Sequence, residues 1–164
     1  MPGMHPLLAL ARRTPLPRLI WRGRLLSLRV TRPFRFGVRT VVLDGEGGVL
    51  LVRHSYRPGW HLPGGGVKKW ETAEQAAIRE TAEEGGIAIE AMDRLFGVYA
   101  NFAIGYCDHV ALFVAGPWRA APADSFEIVE TRFFPLEALP ADASPPTHRR
   151  VAELLGRAPR DLHW

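Results

Sequence analysis

Residues 65–87, GGVKKWETAEQAAIRETAEEGGI, narrow the folds open to this chain more than any other stretch of the sequence. The stretch begins in a glycine-rich loop and continues into a run of good helix formers. Thr72 is a suitable N-cap for that helix, and the pair Gly85-Gly86 suits its C-terminal cap. The pattern therefore predicts a loop that leads directly into one short helix.

Three acidic side chains, those of Glu80, Glu83 and Glu84, share one face of the predicted helix, because at about 100° per residue they fall within an arc of roughly 100°. Like charges at this spacing repel, and acids near a helix C-terminus oppose the helix dipole. A cation between the carboxylates would offset this repulsion. Hard oxygen ligands without a nearby Cys or His favour Mg²⁺ or Mn²⁺ over Zn²⁺. The alternative is a solvated acidic face.

The spacing resembles the signature of the Nudix family: Gly, five residues, Glu, seven residues, Arg-Glu, an aliphatic residue, any residue, Glu-Glu, any residue, Gly, aliphatic. The matching positions are Gly65, Glu71, Arg79, Glu80, Thr81, Glu83, Glu84, Gly86 and Ile87. Thr81 departs from the pattern, since the family usually has an aliphatic residue there, and the departure concerns packing more than chemistry. All the acidic positions are present.

The resemblance implies a hydrolase of a nucleoside diphosphate linked to another moiety, as in a nucleotide, a nucleotide sugar or ADP-ribose. It also implies that Glu80, Glu83 and Glu84 bind a divalent metal ion, Mg²⁺ or Mn²⁺. We expect Glu71 and Arg79 to support this site, with Arg79 reaching Glu83 one helical turn on and Glu71 holding Arg79. Rival interpretations are a Nudix-shaped nucleotide-binding or regulatory module without catalysis, and a protein that binds membranes or RNA through its N-terminal arginines.

The catalytic base has several candidates. Glu80 or Glu83 is expected to accept the proton of the attacking water, and Arg79 is grouped with them in the catalytic set. Glu130 is a further candidate for base or ligand, against the alternative of an exposed acid on a strand edge. Gly64 and Gly65 are expected at the substrate, because glycine allows close approach of the backbone.

Cationic side chains ahead of the signature are candidates for substrate contacts. Arg53 and Arg57 could meet substrate phosphates, with surface solubility as the alternative. Trp60 could stack on a base, although core packing is the commoner role of such a Trp. Gly86, at the end of the predicted helix, is expected to support the site structurally.

The remaining chain predicts an α/β fold in which a mixed β-sheet lies between helices. The predicted strands cover residues 39–43, 49–53, 94–102, 109–115 and 127–134, and the predicted last helix covers residues 147–156. The turn at residues 44–48 predicts a hairpin between the first two strands, and residues 117–125 are predicted as a loop. The resemblance implies the α/β/α sandwich of the Nudix fold.

Charge divides the chain into unequal parts. Nine arginines and no acid precede Asp44, although the net charge of the whole chain is only +4. We therefore expect residues 1–34 to be a basic extension, residues 35–157 the Nudix domain and residues 158–164 a tail. Residues 16–30 predict a basic amphipathic helix that packs on the domain or on a second subunit. The alternatives are contact with anionic lipid or nucleic acid, and an organelle transit peptide.

The single cysteine, Cys107, excludes an internal disulfide framework and is expected to be buried. It fits a reducing compartment, and we expect a cytoplasmic protein. No apolar run approaches the roughly 20 residues of a transmembrane helix. The expected partner is a small-molecule nucleotide substrate. Homodimers are common in the family, and the sequence leaves the oligomeric state open.

Overall fold

The computed structural model describes Leu19, Gly23, residues 35–102 and residues 108–164. Two sequence-based predictions fall outside these residues, namely most of the basic helix at 16–30 and the burial of Cys107. The described strands are β1 (Arg35–Val41), β2 (Gly48–His54), β3 (Trp60–His61), β4 (Ile87–Ile89), β5 (Met92–Asn101), β6 (Asp108–Ala115), β7 (Trp118–Ala120) and β8 (Ile128–Pro135). The described helices are α1 (Ala73–Gly85) and α2 (Pro145–Leu154).

Two three-stranded sheets form the centre of the fold. The first, in the order β1-β6-β5, is mixed, because β1 runs parallel to β6 and β5 runs antiparallel to it. The second, in the order β3-β2-β8, is antiparallel throughout, and β4 pairs with β7 at one side. The predicted α/β class with a mixed sheet is confirmed, and the strands divide between sheets instead of forming one.

Alternate side chains of the central strands point to opposite helices. Leu51 lies in a core cluster against which Leu154 of α2 packs. Its neighbour Leu50 points the other way, where a Cβ added at Gly85 of α1 would come within 2.9 Å of its side chain. Each of these buried leucines contributes about 1.5–3 kcal/mol to stability. The two faces of the strands thus produce the α/β/α layering that the resemblance implied.

The predicted hairpin forms at the turn and at the residues beside it. The Asp44 amide donates to the Gly48 carbonyl at 3.0 Å, and Leu43 forms an isolated bridge with Val49. Beyond this turn β1 pairs with β6, whereas β2 pairs with β3 and β8. The predicted hairpin connection is therefore confirmed at the turn, where the Leu50 amide also donates to the Val42 carbonyl at 3.0 Å, and turn chemistry does not define the partners of the strands beyond it.

The predicted loop at residues 117–125 contains a short strand. β7 covers Trp118–Ala120 and pairs antiparallel with β4. The indole N–H of Trp118 donates to the Leu43 carbonyl at 2.8 Å, and its ring stacks on Phe133. Three residues are too few to show a strand periodicity, so the sequence could not reveal this element.

The segment expected as a C-terminal tail hydrogen-bonds to β5. The Ala100 amide donates to the Leu162 carbonyl at 2.8 Å, and the Trp164 amide donates to the Ala100 carbonyl at 2.8 Å. Beneath it, Arg150 is fully buried and its guanidinium donates to the Glu153 carboxylate at 2.7 Å. The segment therefore covers part of an edge strand that would otherwise be open to pairing. Among the described residues, neither helix has the length and apolar character needed to cross a bilayer.

Candidate active site

Helix α1 has the two caps that the sequence predicted. The Thr72 hydroxyl accepts a hydrogen bond from the Gln75 amide, and the Gln75 side chain accepts one from the Thr72 amide, which completes a capping box. At the other end Gly86 is left-handed, with φ 66°, and its amide donates to the Ala82 carbonyl. The helix that these caps delimit carries Glu80, Glu83 and Glu84 in its last two turns.

Arg79 holds three glutamates together. Its Nε and Nη2 donate to the two carboxylate oxygens of Glu71 at 2.7 and 2.9 Å, a bidentate pairing. Its Nη1 donates to Glu80 Oε1 at 2.7 Å and to Glu83 Oε2 at 3.2 Å. Both contacts expected from the sequence, those of Arg79 with Glu83 and with Glu71, are therefore present.

A substitution at Glu71 should reveal this pairing through its pH dependence. The hydrogen bond from Arg79 lowers the pKa of Glu71 from 4.5 to about 2. Since the folded-state pKa lies below the unfolded value, the pairing stabilises the protein above about pH 4.5, and its contribution disappears as the pH falls towards 2. We expect Glu71→Gln to lower the unfolding free energy at pH 7. Below pH 4.5 the difference in unfolding free energy between the variant and wild type should become smaller.

The unfolding free energy of both proteins is measured by denaturant unfolding across this pH range. Glu90→Gln, at an exposed acid after β4, is the matched control and should leave the pH profile unchanged. If wild type and Glu71→Gln differed in unfolding free energy by the same amount at all pH values, the pairing would be contradicted.

The glycine loop lies between β1 and the carboxylates of α1. The Val38 amide donates to the Gly65 carbonyl at 2.8 Å, and the Gly64 amide donates to Glu84 Oε2 at 2.9 Å. A Cβ added at Gly65 would come within 2.5 Å of the Glu80 carboxylate. The absence of side chains here lets the backbone approach both carboxylates.

Glu84 is the buried member of the acidic set, with 6% of its surface exposed. The pKa of its carboxyl is raised to about 7, chiefly by burial and to a lesser extent by the nearby Glu80 and Glu127. The Arg39 guanidinium and the Gly64 amide act in the opposite direction. A cation next to such a carboxyl favours its ionised form.

The donor chemistry fits a hard divalent cation. In the part of the chain that the structure describes, no three His, Cys, Asp or Glu side chains converge on one point. Arg79 holds Glu80 and Glu83, while Glu84 faces the Gly64 amide. The available donors are nevertheless carboxylate oxygens on one helix face. They lie beside the backbone of Gly65, where any side chain would occupy the space next to the Glu80 carboxylate.

A buried histidine lies behind Glu84. The distance from His54 Nδ1 to Glu84 Oε1 is 3.9 Å. Burial, followed by the charges of Arg39 and Arg57, lowers the pKa of His54 to about 2. The ring is therefore neutral, and this contact is not an ion pair. Neither ring nitrogen has a hydrogen-bond partner among the described residues.

Arg39 is a site residue that sequence reasoning did not identify. Its guanidinium donates to the Leu62 carbonyl at 3.1 Å and to the Gly64 carbonyl. Its positive charge acts on both Glu84 and His54. The only signal in the sequence was a single arginine at the start of an apolar run, and that signal does not show which loop the side chain meets.

A family model of the NUDIX domain matches residues 33–155. The chain belongs to the Nudix family.

Three known proteins illustrate the relationship. An RNA pyrophosphohydrolase of Dinoroseobacter shibae is 40% identical over 65 residues, which are 38% of this chain and 41% of that protein. A MutT-like protein of Streptomyces ambofaciens is 41% identical over 90 residues, which are 55% of this chain and 53% of that protein. The crystal structure of a MutT NUDIX hydrolase from Burkholderia pseudomallei aligns with a TM-score of 0.65 and 26% identity, covering 74% of this chain and 98% of that one. The chain thus matches about half or less of the length of these two curated relatives.

Arg53 and Glu130, two residues of this Nudix domain that were proposed for the site from the sequence, face each other across β2 and β8. Arg53 Nη1 lies 3.9 Å from Glu130 Oε2, and Arg53 Nη2 lies 3.5 Å from Asp142 Oδ2. The Arg53 guanidinium also lies 4.5 Å from the Trp60 ring centroid. Trp60 itself is 2% exposed and belongs to the core, which confirms core packing over base stacking.

Glu127 is the β8-side acid that acts electrostatically on Glu84. Burial raises the pKa of the Tyr56 hydroxyl, and the charge of Glu127, which also accepts a hydrogen bond from Tyr56, acts in the same direction. Arg57 belongs to the same cluster, and burial lowers the pKa of its guanidinium to about 10, which leaves it charged at neutral pH. The Nudix signature is thus surrounded by cationic and acidic side chains from β1, from the loop after β2 and from the residue that precedes β8.

Proposed function

We propose that this protein is a metal-dependent pyrophosphohydrolase that cleaves the diphosphate linkage of a nucleoside diphosphate joined to another moiety. The observation that carries the proposal is the array in which Arg79 holds Glu71, Glu80 and Glu83 beside the Gly65 backbone. The names of the relatives, an RNA pyrophosphohydrolase and a NUDIX hydrolase, support chemistry at a phosphoanhydride bond.

The acidic face of α1 would hold the cation. Glu80, Glu83 and Glu84 would bind Mg²⁺ or Mn²⁺, which when bound neutralises the diphosphate charge and lowers the pKa of a coordinated water. Arg79 keeps two of these carboxylates in place, and its bidentate pairing with Glu71 fixes the guanidinium. The Gly65 backbone leaves room for the phosphates to approach the carboxylates.

Glu83 is our first candidate for the general base. Its side chain is 42% exposed, against 15% for Glu80, and is therefore the more accessible to an attacking water. Its contact with Arg79 Nη1 is also longer, 3.2 Å against 2.7 Å for Glu80. Glu130 ranks third, because the structure shows it in contact with the arginines at 53 and 132.

The cationic side chains would act on the substrate. Arg57 and Arg39 add positive charge beside Glu84, where they can offset the charge of a bound diphosphate. Arg53 is partly exposed at the rim and can exchange its acidic partners for a phosphate. The sequence-based assignment of Arg53 and Arg57 to substrate binding is retained as part of this proposal.

A substrate panel with and without metal tests the proposed activity. The full-length protein is offered nucleoside triphosphates, ADP-ribose, nucleotide sugars, dinucleoside polyphosphates and 5′-triphosphorylated RNA, and phosphate or nucleotide release is measured. We expect turnover of at least one compound, loss of turnover in EDTA, and recovery on adding Mg²⁺ or Mn²⁺. Turnover that persists in EDTA would remove the metal from the proposal. A folded, metal-binding protein that turns over no compound would be a nucleotide-binding module instead.

A further inference from the structure

Trp70 has a backbone conformation that large side chains rarely adopt. Its φ is 67°, and it is the only non-glycine residue with positive φ among those that the structure describes. It is the third residue of a turn that the Glu71 amide closes on the Lys68 carbonyl at 3.2 Å. Turns with positive φ at this position favour Gly or Asn. Strain of this kind persists where the surroundings impose it, and it concentrates at ligand-binding sites.

Core packing does not account for this tryptophan. Its surface is 91% exposed, so the indole is not buried against the domain. Within residues 35–94, all of which the structure describes, it is the only large apolar side chain that is exposed. A lipid surface or a protein partner usually meets a contiguous apolar patch, and among the described residues 35–94 no second exposed large apolar side chain accompanies this ring. A single flat ring is instead suited to stacking on another flat ring.

Two lysines complete the local chemistry. Lys68 and Lys69 precede Trp70 directly and both are exposed. The Lys69 ammonium lies 5.1 Å from the Trp70 ring centroid, so a cation and an aromatic face are presented together. Unpaired bases stack on such aromatic rings with little regard to sequence, while lysines neutralise the phosphates between them.

Hydrogen bonds of Glu71 and Arg79 connect the turn to the acidic face of α1. Glu71 follows Trp70 and closes the turn through its amide, while its carboxylate also accepts from the Lys68 amide at 2.9 Å. The same carboxylate holds Arg79, which holds Glu80. The residue that presents the indole is therefore the chain neighbour of Glu71, which anchors the array that supports the carboxylates.

We propose that Lys68, Lys69 and Trp70 form a binding subsite for an unpaired nucleotide outside the diphosphate site. The ligand is a single-stranded polynucleotide with a 5′-polyphosphate, whose terminal phosphates reach the carboxylates of α1 while a following base stacks on Trp70. This assignment deepens the proposed function and depends on it for the position of the polyphosphate.

Binding of a short, unstructured, 5′-triphosphorylated RNA tests the subsite. Fluorescence anisotropy of the labelled RNA with full-length protein in EDTA measures affinity without turnover. We expect Trp70→Gly and Trp70→Asn each to weaken binding about tenfold or more, the effect of losing one stacked base. Trp70→Phe, which keeps a flat ring, should retain most of the affinity. Alanine at both lysines should weaken binding and lessen its salt dependence, whereas Arg94→Ala, at an exposed cation on β5, serves as the charge control.

Stability separates a binding role from a structural one. Gly and Asn both tolerate positive φ, so Trp70→Gly and Trp70→Asn should unfold at a temperature equal to or above that of wild type. A large fall in unfolding temperature would show that the indole supports the fold, and it would overturn the subsite. RNA affinity that is unchanged in both variants would overturn it too. Loss of sedimentation with anionic phosphatidylglycerol vesicles, at unchanged RNA affinity, would assign Trp70 to a lipid surface instead.

The same variants distinguish this inference from the proposed activity. Trp70-dependent RNA binding by a protein that hydrolyses no compound would refute the hydrolysis and leave the stacking site in place. Hydrolysis of a mononucleotide with RNA binding independent of Trp70 would refute the subsite alone. If both proposals hold, Trp70→Gly should lower kcat/KM by a larger factor for the triphosphorylated RNA than for a nucleoside triphosphate.

Discussion

Glu83→Gln is expected to lower kcat for the preferred substrate by about 10²–10⁴-fold, the range for losing a positioned general base. Glutamine keeps the size of the side chain and can still accept a hydrogen bond from Arg79, so the loss reports the charge and the basicity of the carboxylate. Because the Glu83 side chain is 42% exposed and its ion pair with Arg79 is partly screened, we expect only a small change in unfolding temperature. Steady-state kinetics at saturating Mg²⁺ and thermal unfolding make the two measurements.

Glu90→Gln is the control, since it removes an exposed acid outside the site and should keep wild-type kcat. The metal dependence of Glu83→Gln separates two roles of the carboxylate. If high Mg²⁺ restores kcat, Glu83 acts as a ligand, and Glu80 becomes the leading candidate for the base. If kcat is unchanged at any metal concentration, neither role of Glu83 stands, and Glu130 or Glu80 must be tested next.

Gly64→Ala is expected to destabilise the protein by about 3 kcal/mol or more, combining overpacking with backbone strain. The Gly64 φ is 143°, and an added Cβ would lie 2.1 Å from the Val38 carbonyl oxygen and 2.9 Å from Arg39 Cα. Both contacts are with the backbone of β1, which is anchored by its pairing with β6 and cannot yield as a side-chain tip would. For a chain of this length the expected fall in unfolding temperature is about 6–12 °C or more.

The neighbouring glycine provides the matched control. A Cβ added at Gly66 meets no atom within 4 Å, and Gly66 is not among the glycines with positive φ. Gly66→Ala should therefore change stability by no more than about 0.5 kcal/mol. Denaturant unfolding of both variants checks the prediction. Equal stability of Gly64→Ala and Gly66→Ala would show that the loop does not press against β1 as described.

The signature helix was predictable because its geometry is local. Helical spacing alone places Arg79 within reach of Glu83, and the capping preferences of Thr72 and Gly86 define where the helix begins and ends. The mixed α/β class followed from alternating apolar strands and helices. These relations depend on neighbours a few residues apart, which the sequence displays directly.

Strand pairing was predictable only in part. The positions of β2, β5, β6 and β8 agree with the apolar runs in the sequence. Their partners do not follow from those runs, because an apolar strand can pair with any other strand of matching length. The sequence therefore predicted the hairpin turn between β1 and β2, but not the pairing of β1 with β6, some seventy residues further along the chain.

Residue types and their spacing were sufficient to predict the acidic helix, its caps, the glycine loop and the pairing of Glu71 and Arg79 with the glutamates. Only the tertiary structure showed that Arg39 binds the carbonyls of that loop, that a neutral His54 lies behind Glu84, and that Trp70 has a strained backbone in full exposure. The first two of these features depend on segments brought together by strand pairing, and the third on a backbone angle. Neither kind of information is carried by residue type and spacing, and this is the physical reason why the surroundings of the site became visible only in the folded chain.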